Sequence, residues 1–149
     1  MAQLRDRPYG IANFLVDFGD GKSQSAAGGF SEVIFPTFDA QPPAVHGAAM
    51  TEARPDAAPA VASNRLLLRR GFIGSLDLYA WWHKARAGRA PKRRTLQVKL
   101  LSEDHETVVA VWRFREVRPV SLSYSPLLAK ESGILIETVE FAFDRMEML

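Results

Sequence analysis

Three histidines, His46, His83 and His105, are the side chains best suited to move protons or hold a metal near neutral pH. They stand far apart, and none has a second histidine or a carboxylate at metal-ligand spacing on one helix face. His83 falls on the flank of a helical stretch, and His105 sits in a polar turn beside Glu103, Asp104 and Glu106, so both read as solvated. His46 lies in an Ala/Pro-rich stretch that offers a catalytic base no rigid scaffold. Gly74-Ser75-Leu76-Asp77-Leu78 lacks the second glycine of a nucleophile elbow, and Ser75 suits a helix cap instead. Gly19-Asp20-Gly21-Lys22 has neither phosphate-loop spacing nor a helix after it. Glu137 and Glu140 would point to opposite faces of a strand and cannot converge. With no cysteine in the chain, disulfides, thiolate catalysis and thiolate zinc sites are excluded. The expectation is of no catalytic residue, no cofactor-binding residue and no metal ligand, hence of no enzyme.

The remaining chemistry is electrostatic. Arg89, Lys92, Arg93 and Arg94, with Arg86 nearby, could neutralise phosphates while Trp81 stacked on a base, so a small basic nucleic-acid-binding β-domain is one reading. Against it, Trp81 and Trp82 fall on an apolar helical stripe, and a short basic loop is more often a solvated or salt-bridging face. Gly71-Phe72-Ile73-Gly74 imitates a phosphate clamp, but its interior residues are apolar. No specific nucleic-acid binding is expected. The net charge of +2 conceals three blocks: residues 1–64 carry four basic and seven acidic side chains, residues 65–99 ten basic and only Asp77, and residues 100–149 five basic and nine acidic. Such asymmetry suits either an anionic ligand or identical subunits that meet head to tail.

The elements that must position these groups follow from periodicity. The 149 residues, 47% hydrophobic and 24% charged, suffice for a single domain with its own core. Ala12, Phe14, Val16 and Phe18 alternate as in a strand, and a turn at Gly19–Lys22 leads to a second strand at Gly29–Phe35, so the opening reads as a hairpin. Residues 36–64 hold five prolines and nine alanines and read as an insertion or extended loop. Arg65–Arg70 is strand-like. Ser75 and Asp77 then open a helix whose stripe is Leu78, Trp81, Trp82 and Ala85, and Gly88 stops it, so the helix is expected over about residues 75–87. Leu78, Trp81, Trp82, Phe141 and Phe143 are expected in the core. Thr95–Leu101 and Thr107–Arg115 flank a polar turn as a hairpin, Pro119–Tyr124 reads as a short edge strand, and Gly133–Phe143 is the last strong strand. The fold class is mainly β: an antiparallel barrel or sandwich of six or seven strands with one flanking helix. No run approaches ~20 apolar residues, so no membrane-spanning helix is expected. The charged start, Met1-Ala2-Gln3-Leu4-Arg5-Asp6-Arg7, argues against a signal peptide.

Taken together, Leu66-Leu67-Leu68-Arg69-Arg70-Gly71, Phe72-Ile73-Gly74-Ser75-Leu76-Asp77-Leu78-Tyr79 and Trp81-Trp82 resemble the strand–turn–helix hallmark of the phage tail-tube family. Arg7-Pro8-Tyr9 with Phe14-Leu15-Val16, and Gly28-Gly29-Phe30-Ser31-Glu32-Val33, are similar to the family's opening. Arg93-Arg94-Thr95 through Leu100-Leu101, Trp112-Arg113-Phe114, Arg118-Pro119-Val120 and Ile136–Glu140 are similar to its second half. The resemblance implies a structural, non-enzymatic subunit of the inner tube of contractile phage tails and phage-like injection particles. It would use no cofactor, close into hexameric rings and meet adjacent tube rings, sheath, and baseplate or spike proteins. Assembly in a bacterial cytoplasm, then release in a phage tail or phage-like particle, is implied with it. Arg89, Lys92, Arg93 and Arg94 become candidates for inter-subunit contacts. Main tube subunits follow this Phe-Ser-Glu-Val stretch with Ser-Gly-Leu and a long charged hairpin that reaches the next ring. Here Val33 runs into Ile34-Phe35-Pro36 and the Ala/Pro segment. That departure raises an alternative within the family, a specialised baseplate-proximal or cap-proximal ring.

Overall fold

Alternating apolar residues form the strands. The computed structural model describes residues 2–19, 29–40, 64–88 and 92–149; the turn at 20–22, most of the Ala/Pro segment, His46 and Arg89 lie outside them. In chain order the strands are β1 (Phe14–Asp17), β2 (Glu32–Ile34), β3 (Arg65–Gly71), β4 (Arg94–Leu101), β5 (Val108–Tyr124), β6 (Ile136–Ala142) and β7 (Arg145–Met148). The helix α1 (Asp77–Arg86) follows β3. All pairings are antiparallel, in the order β1-β4-β5-β6-β3-β2, with β7 beside β5. The fold is therefore mainly β, and its single sheet stays open between β1 and β2 instead of closing as a barrel.

β5 is one long strand, not the expected strand plus separate edge piece. Its first half pairs β4 on one side and β7 on the other, and its second half pairs β6. The ladder passes from β7 to β6 between Arg115↔Arg145 and Arg118↔Ala142, where Glu116 adopts φ 59 and the Asp144 N–H donates to the Arg115 carbonyl at 3.0 Å. Pro119 is accommodated because the register with β6 shifts between Pro119 and Ser121, the kind of irregularity that spares a missing donor.

The expected β1–β2 hairpin is not formed. β1 pairs β4 through Val16↔Val98 and β2 pairs β3 through Val33↔Leu68, so among the described residues the two strands stand at opposite ends of the strand order. A turn signal fixes a hairpin only when the flanking strands have no better partner, and here longer strands with apolar faces compete for both. Phe35 and Phe38, which follow β2, turn back over this open side: the Phe35 ring lies 5.0 Å from Trp112, and Phe38 lies 6.4 Å from Phe114 and 6.3 Å from Phe143.

The core takes one face of every major strand: Leu66 and Leu68, Leu96 and Val98, Phe114 and Val117, Val139 and Phe141, joined by Val16, Phe18 and Phe30. From α1 come Leu78 and Trp81, the latter 5.2 Å from Phe141 and edge-on to Phe18 at 6.1 Å. Trp82 is only half-buried, which corrects its expected core position. The stripe centres on Leu78 and Trp81. One residue further, ~100° around the helix, Trp82 reaches the flank and packs between Tyr79 (6.1 Å) and the Arg86 guanidinium (5.3 Å). The helix is also shorter than expected. Leu76 holds the N-cap position without a side-chain cap, and the Ser75 hydroxyl, 3.5 Å from the Asp77 N–H, donates instead to Asp77 Oδ1 at 2.6 Å. Gly88 ends it at φ 79, its N–H donating to the Ala85 carbonyl, as its place after the stripe predicts.

Candidate assembly site

Core alternation also brings charges inward. On β3 the buried positions are Leu66, Leu68 and Arg70; on β6 they are Glu137, Val139 and Phe141. Arg70 and Glu137 are register partners, and Arg70 Nε donates to Glu137 Oε1 at 2.8 Å. Arg70 Nη2 reaches Asp77 Oδ1 on α1 at 2.8 Å, and the Tyr124 hydroxyl at the end of β5 donates to Glu137 Oε2 at 2.9 Å. Strands β3, β5 and β6 and the start of α1 are thereby tied through one ionic cluster. Burial alone would raise the Asp77 carboxyl, but hydrogen bonds from Ser75 and Arg70 outweigh it and hold the group below its ordinary value. Burial works against the Arg70 charge too, and its bonds to Asp77 and Glu137 leave the guanidinium raised. Tyr124 is pushed up to about 12, first by burial and then by the neighbouring Glu137. Sequence reading missed this cluster. The available signal was opposite charges at core parity on two strands, Arg70 after Leu66 and Leu68, and Glu137 before Val139 and Phe141.

The described bonds of the cluster run between side chains of different elements, which suits a structural tie between α1 and the sheet. Glu140, three residues from Glu137, points to the other face and pairs with Arg65 at 3.1 Å, so the two carboxylates do not meet. His83 is exposed and stacks on Tyr79 at 5.5 Å; His105 is exposed in its turn at φ 64. Among the described residues no three His, Asp or Glu side chains stand together as a metal site, and no helix is long and apolar enough to cross a membrane.

The basic residues divide by role. Lys92 is exposed, and its carbonyl accepts the Trp81 indole N–H at 2.7 Å, which anchors the approach to β4. Trp81 is 5% exposed and so committed, which removes the aromatic platform that the nucleic-acid reading required. Arg94 lies over the Trp81 ring at 4.6 Å. Arg93 is half-exposed, with loose ion pairs to Glu116 and Asp144, each at 3.6 Å. Lys92, Arg93 and Arg94 line a shallow pocket of about 350 Å³ with Phe18, Gly19 and Thr95.

The N-terminal segment forms an ordered strap. Arg5 grips Glu103 with two hydrogen bonds of 2.9 Å and lies 3.7 Å from the Tyr9 ring, while the Gln3 N–H donates to the Val109 carbonyl at 2.8 Å. The Arg5 hydrogen bond holds the Glu103 carboxyl at about 2.

The family described as T4-like virus tail tube protein gp19 matches residues 11–147. No curated protein matches the sequence. Among solved structures, the fold is similar to a chain in the anti-feeding prophage cap, the AFP tube terminating cap (TM-score 0.69, 16% identity, 100% of this chain and 95% of that one). It is also similar to chains of an extracellular contractile injection system. One is in the PVC sheath/tube terminator in the extended state (0.68, 18%, 97% and 98%), the other in the PVC sheath-tube complex in the extended state (0.67, 17%, 95% and 91%). At these identities the likeness is one of fold.

Proposed function

This chain belongs to the T4-like virus tail tube protein gp19 family, and from that membership we propose that it is a structural, non-enzymatic subunit of the inner tube of a contractile injection system or phage tail. Copies close into hexameric rings that stack as a hollow conduit. The observation that carries the reading is the family match across residues 11–147. The mainly β fold, an antiparallel sheet with one helix, agrees with it. A contracting sheath supplies the energy and drives the tube, with cargo in its lumen, through a target envelope. Adjacent rings, sheath, and baseplate or spike proteins are its partners. Assembly takes place in a bacterial cytoplasm before the particle is released.

Within this reading Arg89, Lys92, Arg93 and Arg94 remain the candidate ring-to-ring or sheath contacts. Lys92 and Arg93 are the better placed of the described three: Lys92 is exposed, and Arg93 can exchange 3.6 Å ion pairs for a neighbour's carboxylate, whereas Arg94 is held over Trp81. Light scattering and negative-stain images of the purified chain test the proposal. Six-fold rings are expected; a strictly monomeric protein at high concentration, with no particle association, overturns it.

The path after β2 favours a second reading. Phe35 and Phe38 pack back onto Trp112, Phe114 and Phe143 and do not leave the subunit as a strand, which suits a specialised ring at the cap or baseplate end. Immunogold labelling confined to one end of assembled particles is expected in that case.

A further inference from the structure

We infer that copies of this chain join head to tail through an apolar knob and an apolar seam: the β5–β6 loop of one copy, bearing Leu127, Leu128 and Ile134, seats in the slot between β1 and β2 of the next. The inference rests on the tube reading and names the surface through which assembly occurs.

The knob presents three exposed aliphatic side chains around a shallow hollow of about 330 Å³ that Glu131 and Ser132 also line, and its base is held by hydrogen bonds. Leu127, Leu128 and Ile134 are 83%, 53% and 76% exposed, and beside them Phe72, Ile73 and Tyr124 are 37%, 63% and 45% exposed. At ~150–250 Å² for a large aromatic side chain and somewhat less for an aliphatic one, the six present on the order of 600 Å² of apolar surface. That reaches the upper end of the ~300–600 Å² patch found on a typical monomer and approaches the ~800 Å² per partner of a stable interface. The loop is fixed at its base: Ser125 N–H donates to the Ile136 carbonyl and Ile136 N–H to Ser125 Oγ, both at 2.9 Å. Phe72 N–H donates to the Leu135 carbonyl at 2.8 Å, and the Phe72 ring meets Tyr124 edge-on at 6.0 Å. A Cβ on Gly71 would stand 3.3 Å from Ile134 Cγ2, so the glycine lets the loop lie close against β3. The loop backbone is therefore held at its base, so docking has less backbone left to order.

The seam is the complementary feature. Between the free edges of β1 and β2 lies a groove of about 490 Å³ lined by Tyr9, Ile11, Phe14, Val33, Phe35 and Trp112. Its size suits a few aliphatic side chains. Glu32 on its rim is paired with Arg69 at 3.4 Å, so that carboxylate is already matched. Among the described residues no strand covers the outer edge of either strand. A second copy is the occupant because both halves of the contact belong to one chain and are different surfaces, set apart by the stretch of β5 from Trp112 to Tyr124, on the order of 40 Å of extended chain. Unlike surfaces that match each other give a heterologous contact, the kind that closes into rings, whereas a patch that met its own twin would stop at a dimer.

The chain's lack of cysteine makes the test direct. A Leu127→Cys/Ile11→Cys double variant, oxidised at assembling concentration, is expected to form a covalent ladder that ends at ring size, while neither single variant does. Leu127→Asp, at an exposed position, is expected to raise the concentration needed for assembly by about tenfold or more with an unchanged melting temperature. Rings that form in the double variant without cross-linking overturn the knob-and-seam contact and leave the tube reading standing. Efficient covalent dimers from Leu127→Cys alone overturn it in favour of a symmetric patch. A parent chain that never self-associates removes both.

Discussion

Arg70 and Glu137 are register partners on β3 and β6 whose side chains meet at 2.8 Å with 1% and 0% exposed. Two desolvated charges in such a place make the pair costly to break from one side. Glu137→Ala deprives Arg70 of one carboxylate and leaves the Tyr124 hydroxyl without its acceptor. The expected loss is ~3–5 kcal/mol in urea unfolding. The double replacement Arg70→Met/Glu137→Leu is expected to recover most of it. A single-variant loss below ~1 kcal/mol, the level of an exposed pair, sinks the idea that this cluster ties α1 to the sheet.

The two adjacent tryptophans should behave differently. Trp81→Ala opens a cavity against Phe141 and Phe18 and is expected to cost ~3–5 kcal/mol. Trp82→Ala loses partial packing and a cation–π contact with Arg86, worth ~0.5–1 kcal/mol at an exposed site, and is expected to cost ~1–2 kcal/mol in all. Chemical denaturation of the two variants side by side checks the order, and equal losses would contradict the placement of the helix.

Acid should release the N-terminal strap late. The Glu103 carboxyl, lowered from 4.5 to about 2 chiefly by its hydrogen bond from Arg5, binds its proton less readily in the folded chain than in the unfolded one. Its contribution is therefore fully present above about 4.5 and is lost as pH falls through about 2. Amide exchange at Gln3 and the Arg5 side-chain resonances are expected to stay protected at pH 4 and to open toward pH 2. Glu103→Gln is expected to loosen the strap already at pH 7.

At the alkaline end, Tyr124 should titrate apart from the other tyrosines. With its phenol raised to about 12, the folded chain keeps this proton where the unfolded chain has lost it. The linked stability is present below 10 and lost as pH rises toward about 12. Difference absorbance should show a late phenolate step that Tyr124→Phe removes.

Period-two alternation was enough to place β3 and β4 to within a residue and β6 to within three, because each buries alternate side chains in a contiguous core. The helix was visible in Leu78 and Trp81, but its start was not. Ser75 carries a good capping side chain that the structure uses on Asp77, whose carboxylate is itself needed by Arg70. Long-range pairing was the harder part. β1 and β2 are adjacent in sequence and pair with different neighbours, a choice made by the apolar faces of β3 and β4 and not by the intervening turn. β7 escaped notice because Arg145–Met148 is short and half charged; its pairing with β5 makes it a strand. The ionic cluster was hidden for a related reason. A charge at core parity looks like an interruption of the pattern until its partner on the facing strand is known. Among the basic residues, the sequence showed a run of positive charge but not that Arg94 is held over Trp81 while Arg93 stays half-exposed.

The seventeen residues of β5 belong to both halves of the sheet, running alongside β4 and β7 first and β6 afterwards. Neither half can peel away without tearing rows of hydrogen bonds from a strand the other also uses, so the subunit should melt as one cooperative unit. That strand is the keel of the fold: a pull on either half reaches it as shear spread over many hydrogen bonds.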